Sequence, residues 1–74
     1  MQFSFFAVWA VSEMTTEARK AWDRTLDDFA RFGDRLPLYR IGTVWARLFR
    51  DLGLIRSDYH GLRFTLTEVG MQAE

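Results

Sequence analysis

Between Ile41 and Gly70 the chain runs through a short amphipathic segment (TVWARLFRDLG), a Gly-Leu-Ile exit, an arginine-bearing stretch with turn chemistry at its centre (RSDYHGLRFTL) and a Thr-Glu-Val-Gly close. This order constrains the fold more than any other feature, because it calls for a helix, a glycine C-cap at Gly53 and then two strands. At 100° per residue Arg40, Thr43, Arg47 and Arg50 fall within an arc of about 80°. A separate apolar arc is made by Ile41, Val44, Trp45, Leu48 and Leu52. The expected helix has a core side and a basic side.

Seventy-four residues make one domain. A chain this short buries only about 60% of the surface its unfolded form exposes. There is no cysteine and only one histidine, so neither disulfides nor a metal cluster can reinforce the core. Seven Phe, three Trp and two Tyr offer the alternative, aromatic packing or self-association. The formal net charge is zero, but its distribution is not even. Residues 1–30 carry three basic and five acidic groups, residues 31–63 seven and three, and residues 64–74 none and two, which gives −2, +4 and −2. All seven cations of the middle segment are Arg, the side chain that forks bidentately onto phosphate or guanine.

The run Phe3 to Val11 (FSFFAVWAV) is apolar and uncharged. It is too short to span a bilayer, which takes about 20 residues. No basic residue precedes it and Glu13 follows closely, which argues against a signal peptide. Its Phe, Val and Trp content favours an apolar strand over residues 1–12, with a short buried helix as the competitor. As a strand it would supply a partner or dimer surface through Phe3, Phe5, Phe6 and Trp9.

Thr15 or Thr16 can cap a helix over residues 15–33, with Glu17 in its first turn and Gly33 as the stop. Ala18, Trp22, Thr25, Phe29 and Phe32 recur at helical spacing, widened by Ala21 and Leu26, and mark its inward stripe. The mixed-sign residues around that stripe read as solvated surface. Asp34 to Pro37 reads as a turn. Residues 37–53 form either one helix carrying Gly42 inside it or a short helical turn, a break at Gly42 and a second helix capped by Thr43. Residues 54–67 read as a β-hairpin, with Leu62, Phe64 and Leu66 facing inward and Arg63 and Thr65 outward. Thr67 can cap a final short turn ending at Gln72.

Leu52-Gly53-Leu54-Ile55 and Leu66-Thr67-Glu68-Val69-Gly70, with the helix and hairpin they bracket, resemble the C-terminal half of a winged helix-turn-helix domain over about thirty residues. The resemblance implies a small α+β winged-helix-like domain: two main helices, a C-terminal β-hairpin wing and, here, an N-terminal apolar strand. It also implies a recognition helix that enters the major groove of duplex DNA. On that expectation Arg40, Thr43, Arg47 and Arg50 face the DNA and Arg56, His60 and Arg63 reach flanking backbone or minor groove. The protein would be a cytoplasmic transcriptional regulator of prokaryotic or phage type, acting as a homodimer without a cofactor.

A second function class fits the same chain. A phage-type inhibitor of a host protein complex, for example an anti-CRISPR protein, or an adaptor, would use the same fold without binding DNA. Zero net charge, small size and the aromatic load favour it, since Trp, Tyr and Arg dominate protein interfaces. Catalysis has little support in the sequence: there is no glycine-rich phosphate loop, no recognisable Ser-His-Asp spacing and no paired metal ligands. Asp27 and Asp28 are adjacent on a helix, about 100° apart, and do not converge. His60 reads as a polar turn residue, and Trp22 and Trp45 as core.

Overall fold

A computed structural model of the chain describes residues 8–58 and 60–73. Residues 8–12 are helical (α1), not strand. This overturns the N-terminal strand for the part of residues 1–12 that is described; Phe3, Phe5 and Phe6 lie outside the described residues. The apolar run could not reveal this, because a helical segment of little more than one turn has no periodicity to separate helix from strand. Ala10 is fully buried, while Val8 and Trp9 are 68% and 47% exposed.

Helix α2 spans Thr16–Phe32. Thr15 starts it, its hydroxyl accepting from the Ala18 N–H at 3.1 Å, and Gly33 closes it by donating to the Phe29 carbonyl at 3.1 Å. Ala18, Ala21, Trp22, Thr25 and Phe29 are buried along one face, as their spacing requires. Thr25 is tolerated there because its hydroxyl bonds back to the Ala21 carbonyl at 2.8 Å. Phe32 departs from the expected stripe and is about half exposed.

The segment read as a turn contains a strand, β1 (Arg35–Pro37), which continues into a one-turn helix α3 (Leu38–Ile41). Gly42, at φ 97° and ψ 139°, breaks the chain before α4 (Thr43–Asp51), so the interrupted version of residues 37–53 is the observed one. Gly42, not Thr43, is the N-cap of α4. Strands β2 (Ile55–Ser57) and β3 (Arg63–Leu66) form the hairpin, and a short helix α5 (Glu68–Gln72) follows. The sheet order is β1-β3-β2, antiparallel throughout. Three residues ending in Pro carry no strand signal of their own; β1 exists because β3 offers it a partner, and its edge position accommodates Pro37.

The core lies between the inner face of this sheet and α2 and α4. Leu36, Leu54, Ile55 and Phe64 meet Trp22, Phe29, Ala46 and Phe49 there. The Trp22 and Phe49 rings pack edge to face with centroids 5.0 Å apart, and Trp45 stacks with Phe49 at 6.0 Å. Together these elements make a small α+β domain. No helix among the described residues is long and apolar enough to cross a membrane.

Candidate nucleic-acid interface

Helix α4 is closed at its C-terminal end. At its C-terminus Leu54 N–H donates to the Phe49 carbonyl and Gly53 N–H to the Arg50 carbonyl, both at 2.9 Å, the Schellman arrangement that needs the left-handed conformation of Gly53 (φ 80°). Phe49 and Leu54, both fully buried, supply the apolar contact that accompanies it. The helix is rolled relative to the expected apolar arc. Ala46 and Phe49 face the core, Trp45, Leu48 and Leu52 are half-buried, and Val44 is 74% exposed. Val44 and Phe49 lie about 140° apart around a helix, so both cannot face inward, and the larger ring takes the core.

The roll leaves Thr43, Val44, Arg47, Arg50 and Asp51 outward. Thr43, Arg47 and Arg50 line a groove of about 180 Å³ together with Leu38, Ala46, Phe64 and, at the hairpin tip, Gly61. Arg50 reaches Asp51 at 3.8 Å, an exposed contact that restrains the guanidinium little. Arg47 is exposed and has no ion pair among the described residues.

Three of the seven residues expected at the interface therefore line one groove, and the other four divide. Arg40 belongs to α3, not to α4; its guanidinium sits 4.2 Å above the Phe32 ring, a cation–π contact that covers that half-exposed phenylalanine. The break at Gly42 is the reason the 80° arc does not extend to it. Arg56 and Arg63 lie on the outer face of the sheet, because the pleat alternates them with the buried Ile55 and Phe64. They share a hollow of about 270 Å³ with Arg35, Thr65 and Asp58. His60 is exposed in the hairpin turn. Arg35 was not anticipated; its signal in the sequence was the positive surplus of residues 31–63, but only the pairing of Arg35 with Thr65 places it there.

Asp58 shapes the hairpin. Its Oδ1 accepts from the Leu62 N–H at 3.0 Å and from the Arg63 N–H at 3.4 Å. Slight burial pushes its pKa up, but the backbone N–H donors of Leu62, Arg63, Gly61 and His60 outweigh this and hold the carboxyl below its ordinary value. The same closure leaves Leu62 60% exposed, against the expectation that it would face inward with Phe64.

No family model, curated protein or solved structure matches this chain.

Proposed function

We propose that the protein is a small sequence-specific DNA-binding module and transcriptional regulator in which α4 is the recognition helix, α3 the positioning helix and the β2–β3 hairpin the wing. The observation that carries this reading is the groove that Thr43, Arg47 and Arg50 line together with Gly61 of the hairpin tip. A major groove about 12 Å wide admits a helix such as α4. Arg47, exposed in mid-helix, is the residue for base contact, and Arg50 and Thr43 position the helix on the backbone. Cytoplasmic action as a twofold-symmetric homodimer is part of the same reading, with exposed Val8 and Trp9 of α1 at the contact in place of a strand seam.

The test is duplex-DNA affinity against salt for the wild type, Arg47→Ala and Arg19→Ala. Loss of one phosphate-neutralising arginine flattens the log–log salt slope by about 0.9, and loss of a base contact costs about 1–3 kcal/mol. Arg47→Ala should show a loss of this kind and Arg19→Ala, paired with Asp23 at 3.3 Å on the far helix, almost none. Equal effects, or no retention on DNA at low salt, would remove the reading.

One observation favours the protein-binding inhibitor instead. Val44 stands among the α4 arginines, and Tyr39 and Leu62, 82% and 60% exposed, share an apolar hollow with Pro37 beside the hairpin. Such side chains are anchors for a protein surface. A stoichiometric protein partner that survives nuclease treatment in a host-lysate pull-down would shift the conclusion to this class.

A further inference from the structure

The arginines expected to serve one interface point in two directions. Arg56 pairs across the ladder with Thr65, and Thr65 with Arg35, so the two arginines flank one threonine on a single face of the sheet. Arg63 stands two residues from Thr65 on the same face. Strands lie about 4.8 Å apart, so Arg35 and Arg56 rise from positions about 10 Å apart on either side of the Thr65 strand. Leu36, Ile55 and Phe64, which alternate with them, are buried against the layer that contains α4. The three guanidinium groups therefore project from the side of the sheet opposite α4.

None of the three forms an ion pair among the described residues, whereas Arg19, Arg31 and Arg50 each have a carboxylate within 4 Å. The carboxylate that lines their hollow is that of Asp58, and its Oδ1 is committed to the Leu62 and Arg63 backbone N–H groups. Three arginines against the one Asp58 carboxylate leave the hollow with a formal charge of +2, and the Ser57 and Thr65 hydroxyls add neutral donors. Bidentate guanidinium forks match phosphate oxygens, and Thr65 adds a neutral donor at the centre.

We propose that the outer face of the sheet, built from Arg35, Arg56, Arg63 and Thr65, is a second phosphodiester-binding surface, separate from the α4 groove. One domain then holds two nucleic-acid segments, one on each side of the hairpin. The bridging part rests on the DNA-binding reading of α4; the anion chemistry of the sheet face does not.

The experiment uses the full chain and a short biotinylated duplex on beads. Protein is loaded, the beads are washed, and a second, fluorescent duplex is offered. The wild type is expected to retain it. Arg35→Ala/Arg63→Ala, checked for native fold by circular dichroism, should still load on the beads but retain about tenfold less of the second duplex. Arg35→Lys/Arg63→Lys, which keeps the charge, should restore part of the loss. Failure of the wild type to retain a second duplex, with the sheet-face alanine variant loading on the beads as well as the wild type does, overturns the proposal. So does undiminished retention by the alanine variant, which would place bridging in self-association. If Arg47→Ala loads normally while the sheet-face alanine variant does not load, the α4 reading fails and the sheet-face site stands.

Discussion

The indole Nε1 of Trp22 donates a buried hydrogen bond to the carbonyl oxygen of Ala73, joining the middle of α2 to a residue fifty-one positions later. The bond satisfies the one polar atom of the largest fully buried side chain and pins the end of α5 over the core. Trp22→Phe removes the donor and leaves a void where the larger ring packed on Phe49. The expected loss is about 2–3 kcal/mol in urea unfolding; a change below about 0.5 kcal/mol would mean that the bond and the ring are not structural.

Gly70 is the second anchor of α5. A Cβ at this position would lie 2.2 Å from the Leu54 carbonyl oxygen and 2.8 Å from Leu66 Cδ1. Because the nearer atom is backbone, rotamer adjustment cannot relieve the clash. Gly70→Ala should cost about 3 kcal/mol or more, measured by thermal or denaturant unfolding. Gly33→Ala meets no atom within 4 Å, so its cost comes from the backbone alone: φ 105° with ψ −176° is a region that only glycine adopts readily, at about 1–3 kcal/mol. A loss below about 1 kcal/mol at Gly70 would contradict the close approach of α5 to Leu54.

The roll of α4 exposes Val44, which lies in the expected apolar arc, and buries Phe49, which a helical projection places about 140° away and outside that arc. Phe49→Ala empties the centre of the core and should lower stability by about 3–5 kcal/mol. Val44→Ala, at an exposed position, should fall within about 0.5 kcal/mol of the wild type. A large loss at Val44 would place it inward and return the helix to the orientation inferred from spacing.

Asp58 links hairpin stability to acid. Its folded-state pKa lies below its ordinary value, so the unfolded chain binds the proton more readily. The contribution is complete above about pH 4 and is lost as pH falls through the folded value. Asp58→Ala should therefore lower the unfolding midpoint at pH 7 and flatten its decline below about pH 4. A variant with the same acid profile as the wild type would show that the carboxylate does not close the turn.

Local chemistry was legible in the residues themselves. Thr15, Gly33, Gly53 and Thr67 delimit elements through hydrogen bonds to backbone a few positions away, and the α2 stripe follows from a spacing that seventeen helical residues repeat many times. The hairpin, the α+β class and the concentration of arginine in residues 31–63 come from the same short-range information. Tertiary packing decided the rest. Strand β1 needs β3 to exist, α1 shows no period in its few residues, and the roll of the nine-residue α4 was settled by whether Val44 or Phe49 filled the space beside Trp22. Those long-range choices also sorted the cations. Arg40 went to Phe32, Arg47 and Arg50 to the α4 groove, and Arg56 and Arg63 to a sheet face completed by Arg35, because a side chain's partners depend on the neighbours that the fold supplies.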